Sequence, residues 1–286
     1  MTADPRDVPP SLAALARRPA GGDRAVAVPR HASTVVLLRD VGPGAAGRSG
    51  VEAYLLRRVA SMAFAAGMYV FPGGSVDPRD ADIEVGWVGP AASQWAQVLS
   101  ADEPLARALV CAAVRETFEE CGVLLAGPDE GAVVDVSAPE WEDARQALLD
   151  RSVSLAELLA RRDLVVRADL LRPWAHWITP ELEPKRFDTR FFVAALPAGQ
   201  IPRDVGGEAD HVTWVRPETA LEQKASGEMA LMPPTAFTLA EIAEYPTVAE
   251  VLAAATRRDI KPVLPQIVVS GEQASLLLPG DPGYAG

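Results

Sequence analysis

Three glutamates of one short segment have the types and the spacing needed to do chemistry together. Glu116, Glu119 and Glu120 stand at positions i, i+3 and i+4. In an α-helix these positions fall within about 100° of arc, so the three carboxylates would share one face. Carboxylates at this spacing repel one another, and hard divalent cations such as Mg²⁺ or Mn²⁺ bind carboxylate oxygens and would offset the repulsion. The spacing favours a metal site; its plainer alternative is a solvated acidic helix face.

The segment that carries these glutamates is the strongest predicted helix of the chain. It runs from about Pro104 to Cys121, and Gly122 follows at the position where helices commonly end. Arg115 precedes Glu119 by one turn and can hold a carboxylate in orientation. The opposite side of the helix is apolar and is expected to pack into the core through Val110, Val114, Phe118 and Cys121.

The same segment carries a recognisable signature. Residues 115–123 read R-E-T-F-E-E-C-G-V, and the stretch F-P-G-G stands upstream at residues 71–74. This combination resembles the Nudix hydrolase superfamily, whose box ends in R-E-U-x-E-E-x-G-U, where U is usually aliphatic. The resemblance implies an α/β protein, a Nudix α/β/α sandwich built on a mixed sheet.

The resemblance also implies an activity and a set of roles. The expected reaction is the attack of water on a diphosphate linkage of a nucleoside-diphosphate-type substrate, with Mg²⁺ or Mn²⁺ as cofactor. Glu119 and Glu120 would be metal ligands, and Glu116 would be a ligand or the base that helps to deprotonate water. Arg115 would orient these groups, so that Arg115, Glu116 and Glu120 form the expected catalytic set. Gly74 would open the loop before the helix.

The box departs from its usual form in one respect. The usual pattern, G-x5-E-x7-R-E, leaves thirteen residues between its glycine and its arginine, whereas forty separate Gly74 from Arg115, so about 27 are inserted. Arg107 stands eight positions before Arg115, where the pattern has glutamate. The missing carboxylate is either lost or supplied by the insertion, with candidates Asp77, Asp80, Asp102 and Glu103. An alternative function is therefore a catalytically impaired Nudix-fold module that binds nucleotides or regulates.

An interrupted box of this kind resembles the peroxisomal-type coenzyme A diphosphatase branch and its bacterial relatives. The segments H-W-I-T-P at 176–180 and R-F-D-T-R-F-F at 186–192 are also similar to that branch, so the resemblance spans about residues 32–255. The related coenzyme A signature is only partly present: Arg58 and Gly67 fit, but Ala63 replaces its second arginine. The substrate class stays open between coenzyme A, a dinucleotide and a nucleotide sugar.

Further residues are candidates for the site. Glu208 is a candidate extra metal ligand near the last core strands, and an exposed turn residue is its alternative. Substrate contacts are predicted from Gly73, Gly74, Arg58 and Arg186. Arg186 and Arg190 bracket Asp188 on one strand, so a surface ion-pair ladder is as well supported there as a phosphate contact.

Composition limits the remaining functions. The 286 residues are 49% hydrophobic and carry a formal net charge of −12, from 39 acidic and 27 basic side chains. This balance argues against a broad nucleic-acid surface, which needs clustered cations. No apolar stretch reaches the roughly 18 residues of a membrane span, and no signal peptide is evident. Cys111 and Cys121 are expected to be small buried hydrophobes rather than a disulfide. The chain reads as cytoplasmic, without a membrane partner.

Three segments are predicted: a flexible leader over 1–30, a Nudix domain over 31–257 with its insertion at about 75–104, and a C-terminal β-ribbon extension over 258–286. The ribbon is apolar and needs a partner surface, either its own core or a second subunit, so a homodimer through the ribbon is one expectation.

Core strands are expected at 33–38, 52–58, 68–71, 174–179, 186–195 and 211–215, and further helices at 11–17, 139–149, 154–161, 217–223, 234–244 and 247–256.

Overall fold

The computed structural model describes residues 4–17, 26–42, 49–59, 65–82, 84–203, 209–271 and 273–285. Its α-helices are α1 Pro10–Ala16, α2 Ala92–Leu99, α3 Glu103–Cys121, α4 Glu140–Leu149, α5 Leu155–Ala160, α6 Pro217–Ser226, α7 Pro233–Ile242 and α8 Val248–Ala255. Its strands are β1 Arg30–Val41, β2 Gly50–Arg58, β3 Tyr69–Val70, β4 Gly73–Ser75, β5 Trp87–Val88, β6 Ala126–Gly127, β7 Val165–Arg167, β8 Arg172–Ile178, β9 Phe187–Ala195, β10 Ala209–Val215, β11 Pro262–Val263, β12 Gln266–Ser270 and β13 Gln273–Leu277. Short 3-10 helices occupy Pro78–Ala81 and Ala168–Leu170.

The main sheet is mixed, and β1 lies in its middle. The strand order is β10-β2-β1-β9-β8-β11, with β3 paired to β2 and β4 paired to β1. β1 runs antiparallel to β2 and parallel to β9. Residues Val35–Leu38 of β1 are fully buried, as expected for a strand that is covered on both faces.

Side chains of β1 alternate between two apolar cores, one on each face of the sheet. The first core includes Val35, Leu37 and, from α3, Phe118. The second includes Val36, Leu38 and, from α7 and α8, Leu239 and Val251. Helices therefore cover both faces, and the predicted α/β/α sandwich is confirmed. None of the helices in the described residues combines the length and the apolar character that crossing a membrane requires.

Most predicted elements are present with ends shifted by one or a few residues. β1 and β2 are antiparallel neighbours, α3 ends at Gly122, and Ser154 caps α5 by exchanging hydrogen bonds with Glu157. Both cysteines are free and buried, and burial raises the pKa of each thiol to about 12. The region predicted as an insertion, at about 75–104, contains the 3-10 helix at Pro78–Ala81, β5 and α2.

The glycines before the acidic helix lie in a strand. Gly74 is expected from the resemblance to open a loop, but Gly73–Ser75 is strand β4, paired antiparallel with β1. Glycine is needed here because neighbouring atoms approach this extended strand closely. A Cβ on Gly73 would collide with the backbone oxygen of Ser33.

The C-terminal ribbon finds a partner surface within its own chain. β12 and β13 form an antiparallel hairpin, and Ser275 makes a β-bridge with Asp7 next to α1. Arg6 reaches Asp281 with two hydrogen bonds, one of them 3.0 Å long from Nη2 to Oδ1. The two ends of the described chain are thus joined on the same side of the molecule.

Substitution of Gly122 by alanine tests what ends helix α3. Gly122 has φ +71°, a left-handed conformation that costs an alanine about 1–2 kcal/mol. We expect Gly122→Ala to lower the free energy of unfolding by about that amount in urea denaturation. Gly42→Ala is the control, because a Cβ there meets nothing within 4 Å and no left-handed φ is required. Equal stability of the two variants would contradict this account.

Candidate active site

Helix α3 presents its carboxylates to a cleft because its other faces are fixed in the protein. The Asp102 side chain caps the helix start by accepting a hydrogen bond from the Leu105 N–H at 2.9 Å. Ser33 of β1 donates its hydroxyl to the carbonyl of Leu109 at 2.6 Å, which ties the helix to the central strand. The predicted apolar face of Val110, Val114, Phe118 and Cys121 is completely buried. The remaining face, with Glu116, Glu119 and Glu120, lines the cleft.

Arg115 is the centre of an ion network beneath these carboxylates. Its Nη1 lies 2.7 Å from Glu116 Oε1 and 3.3 Å from Glu119 Oε2. Its Nη2 also donates to the carbonyl of Ser75 at 3.0 Å. Burial opposes the charge on the guanidinium, but the hydrogen bonds to Asp80 and the nearby carboxylates raise the pKa of Arg115 overall. Arg115 therefore stays charged and holds both glutamates in orientation.

Asp80 supplies the carboxylate that the sequence pattern lacked at Arg107. It binds Arg115 with two hydrogen bonds of 2.9 Å, from Nε to Oδ1 and from Nη2 to Oδ2, and only 3% of it is exposed. Asp80 also follows Gly74 at the G-x5-E spacing of the box, so the insertion begins after it rather than at residue 75. Arg107 instead donates to the carbonyl of Val85 within the insertion. Two features motivated the alternative of a catalytically impaired module, Arg107 and the long insertion, and Asp80 accounts for the first of them.

The two glycines of β4 let the backbone lie against the acidic face. The Gly73 N–H donates to Glu120 Oε2 at 2.7 Å. A Cβ on Gly74 would lie 2.5 Å from Glu116 Oε1. Any side chain at either position would displace a strand or a carboxylate, so only glycine preserves this contact.

The acidic face has the electrostatics of a cation site. Burial raises the pKa of Glu116, and the charge of Arg115 only partly opposes this, while Glu119 raises it further. Burial likewise raises the pKa of Glu119 against the opposing charge of Arg115. A bound divalent cation would favour the charged carboxylates, so the donor set fits such an ion. Among the described residues, no three acidic, His or Cys side chains are already arranged to hold one metal ion. To bind an ion, the glutamates would have to turn away from Arg115 and Gly73.

The cleft has a volume of about 560 Å³, which is within the range of sites for small organic ligands. Besides the three glutamates, it is lined by Gly73, Gly74, Arg58 and Arg115. Positive side chains that the sequence did not single out also line it: Arg79, Arg145, Arg151 and Lys185. Glu183 lies in the same cleft, and burial raises its pKa.

Arg186 is not brought to the cleft. Its guanidinium donates to the carbonyls of Thr179 at 2.9 Å and Ala27 at 2.8 Å, and only 6% of the residue is exposed. Arg186 lies just before β9 and links this part of the chain to the segment before β1, so it is not placed to contact a phosphate. Its neighbour Arg190 is ion-paired with Asp188, but Arg190 is buried and Arg186 binds backbone carbonyls, so the surface ion-pair ladder expected as the alternative does not form either. Glu208 lies outside the described residues.

Comparison with known proteins places the chain in a family. The family model described as the NUDT19 Nudix domain matches residues 89–242. The chain is 24% identical over 276 residues to the acyl-coenzyme A diphosphatase NUDT19 of Xenopus laevis, covering 82% of this chain and 72% of that protein. It is 27% identical over 280 residues to the human protein of the same name, with the same coverages.

A solved structure agrees in fold. The Nudix hydrolase from Alicyclobacillus acidocaldarius superposes with a TM-score of 0.66 at 29% identity, over 80% of this chain and 97% of that one. Fold, acidic helix and family match define a hydrolase of diphosphate linkages, a class that generally uses a divalent metal. The chain belongs to the Nudix hydrolase superfamily, within the family described by the NUDT19 Nudix domain.

Replacing Asp80 tests its role in holding Arg115. Asp80→Asn removes the charge partner of a buried guanidinium, which costs about 3 kcal/mol when such a pair is broken. We expect a loss of that order in urea unfolding, together with reduced turnover because Glu116 and Glu119 lose their oriented partner. Asp80→Glu, the residue type of the box, should retain more of both properties.

Asp82→Asn is the matched control. Asp82 is an exposed aspartate two residues away. Within the described part of the chain, its side chain accepts a hydrogen bond from the Glu84 N–H and from no other group. If Asp80→Asn were as stable and as active as Asp82→Asn, Asp80 would have no positioning role.

Proposed function

We propose that this protein hydrolyses the diphosphate linkage of coenzyme A or of a coenzyme A thioester, with Mg²⁺ or Mn²⁺ as the cofactor. One observation carries the proposal: Glu116, Glu119 and Glu120 line the same cleft as several arginines. Support for the substrate class comes from the relatives, which are named acyl-coenzyme A diphosphatases. Because a cleft of about 560 Å³ exceeds the needs of inorganic diphosphate, a large organic leaving group fits it better.

Positive side chains in the cleft suit a substrate with several phosphates. Arg79 is held by Asp77, with Nε 3.1 Å from Oδ1, and it donates to the carbonyl of Arg151 at 3.1 Å. The Arg151 side chain is 77% exposed, and its Nε lies 3.9 Å from Asp77 Oδ2. These cations reverse the sign of an acidic protein locally, which binding of anionic phosphates requires. Together with Arg58 they are the proposed substrate contacts, whereas Arg186 is not among them.

In the proposed reaction the oxygen of a water molecule forms a bond to one phosphorus. The bond from this phosphorus to the bridging oxygen breaks, and the second phosphate leaves with the bridging oxygen. Glu116 accepts the proton of the attacking water, since burial gives this carboxylate a raised proton affinity. Arg115 keeps Glu116 and Glu119 in place, and Glu119 and Glu120 would hold the cation. When bound, the divalent cation lowers the pKa of water and neutralises charge on the phosphate oxygens.

Several finer assignments belong to this proposal. A cytoplasmic location and a homodimer through the β12–β13 ribbon remain predictions, as does the absence of a nucleic-acid partner. We also propose the division into a leader (1–30), a Nudix domain (31–257) and an extension (258–286). The extension joins the domain because β11 pairs with β8. The mass of the purified protein in solution would decide the dimer, since a monomeric mass contradicts it.

Glutamate variants of α3 test the metal and catalytic assignments. We expect Glu120→Gln and Glu116→Gln to lower kcat on coenzyme A by about a hundredfold or more, because each removes a charged oxygen from the site. The products, 3′-phospho-AMP and 4′-phosphopantetheine, can be separated by chromatography. Glu103→Gln is the matched control: it lies on the same helix, is exposed and does not line the cleft.

Turnover by Glu120→Gln at the rate of Glu103→Gln would contradict the ligand assignment. The substrate class is tested separately with coenzyme A, NADH, ADP-ribose and nucleoside triphosphates, each with Mg²⁺, Mn²⁺ or a chelator. Faster cleavage of a dinucleotide or a nucleotide sugar than of coenzyme A would overturn the substrate assignment and leave the diphosphatase chemistry standing.

A further inference from the structure

The end of α3 carries two of the proposed metal ligands, Glu119 and Glu120. The last four carbonyl groups of an α-helix have no N–H partner within the helix, so a helix end frays unless other groups bind it. The carbonyl of Cys121 accepts a hydrogen bond from the Arg203 N–H at 3.1 Å. The carbonyl of Glu119 belongs to the peptide group that joins the two proposed ligands, and it accepts a hydrogen bond from a side chain of another helix.

That side chain is Arg145 of α4. Its Nη1 donates to the Glu119 carbonyl at 2.8 Å, and this contact is buried. Removal of the guanidinium would leave a buried carbonyl without its partner, which destabilises the helix end. A positive charge near the C-terminal end of a helix also interacts favourably with the helix dipole. Arg145 therefore stabilises the turn of α3 on which Glu119 and Glu120 stand.

Arg145 is itself held in one orientation. Its Nε lies 3.2 Å from Oε1 and 3.1 Å from Oε2 of Glu142, and its Nη2 donates to the same carboxylate. Glu142 also accepts a hydrogen bond from Nη2 of Arg203 at 2.8 Å. All three side-chain nitrogens of Arg145 thus have protein partners, and only 3% of the residue is exposed. Arg145 borders the cleft but is poorly placed to bind a phosphate there.

Apolar packing joins α4 to α3 independently of this hydrogen bond. Phe118 of α3 contacts Trp141 of α4 edge to face, with ring centroids 6.1 Å apart. Arg162 lies over the Trp141 ring, with its Cζ 4.6 Å from the ring centroid. Loss of the Arg145 guanidinium is therefore expected to loosen the last turn of α3 without separating the two helices.

We infer that Arg145 is a positioning residue, which fixes the backbone between Glu119 and Glu120 so that their carboxylates are placed for a divalent cation. This inference rests on the proposed function and adds a residue that touches neither the substrate nor the ion. The two glutamate side chains have to turn to bind an ion, and a fixed backbone limits the orientations that they can take. Removing a group that orients metal ligands typically weakens metal binding by about tenfold to a hundredfold.

The experiment measures the Kd of Mn²⁺ alone by calorimetry for the wild type and for Arg145→Met. Methionine keeps an unbranched side chain but has neither the charge nor the donors. We expect the Kd of Mn²⁺ to rise about tenfold. Amide hydrogen exchange in the last turn of α3 should become faster in the metal-free protein. The KM for coenzyme A at saturating Mn²⁺ should stay unchanged, because Arg145 does not contact the substrate.

Arg162→Met is the matched control. It removes an arginine that packs on α4 but does not bind the Glu119 carbonyl or line the cleft in the described part of the chain. The Kd of Mn²⁺ should equal that of the wild type. Should Arg145→Met fail to fold, as judged by its melting temperature, Glu142→Ala takes its place. The Glu142 side chain is 47% exposed, and its loss frees Arg145 from its orienting partner, so the Kd of Mn²⁺ should rise by a smaller factor.

Two outcomes would overturn the inference. A lower melting temperature with an unchanged Kd of Mn²⁺, in Arg145→Met or in the Glu142→Ala variant that replaces it, would mean that Arg145 only stabilises the fold. A higher KM for coenzyme A with an unchanged Kd of Mn²⁺ would mean that Arg145 binds a phosphate.

The binding measurement also separates this inference from the proposed function, because it needs no substrate. Failure of the wild type to hydrolyse coenzyme A would contradict the proposed function alone. Weaker Mn²⁺ binding by Arg145→Met would then still support the positioning role. Equal Kd values of Mn²⁺ for the wild type and Arg145→Met would overturn that role even with coenzyme A hydrolysed normally.

Discussion

The site depends on one buried guanidinium surrounded by carboxylates. Arg115 contacts Asp80, Glu116 and Glu119 while only 9% of it is exposed, so three negative charges face one positive charge away from bulk water. Without Arg115 the carboxylates of α3 would repel one another and turn outward. With it they stay together but remain in negative excess, and Glu120 adds to that excess beside Gly73. The network thus fixes the positions of the carboxylates. It still leaves the site with an excess of negative charge, which a divalent cation would neutralise.

The long insertion is compatible with this network because it does not separate the interacting groups in space. The chain leaves at the 3-10 helix that carries Asp80 and returns at α3, and Arg115 bonds across that gap to both Asp80 and the carbonyl of Ser75. The inserted helix α2 is fixed to the sheet, since Trp95 contacts Phe192 edge to face with ring centroids 5.7 Å apart. An insertion whose ends remain adjacent adds little loop-closure cost, so the box is interrupted in sequence and continuous in structure.

Local patterns in the sequence were enough to predict the acidic helix and its glycine end, because these are set by periodicity and by a cap, whereas the α/β/α sandwich followed from the resemblance to the Nudix hydrolase superfamily. Asp80 remained one of four candidates, since counting back from Arg115 leads to Arg107, whereas counting forward from Gly74 leads to Asp80. Arg186 was open to two interpretations because an arginine that binds backbone carbonyls has no sequence signature. The pairing of α1 with the ribbon joins opposite chain ends, and no local pattern encodes such a contact.

The cleft must offer negative charge to a cation and positive charge to phosphates without the two cancelling. The structure separates these charges by placing them on different elements. The carboxylates lie on α3, Arg79 lies in the 3-10 helix Pro78–Ala81, and Arg151 lies just after the end of α4. Asp77 lies between these two arginines, and its hydrogen bonds with Arg79 lower the pKa of this carboxyl to about 2. It therefore stays charged at any ordinary pH and reduces the repulsion between the arginines. Because Arg79 is held by Asp77, its guanidinium stays at the cleft wall and does not form ion pairs with the glutamates that a metal would need.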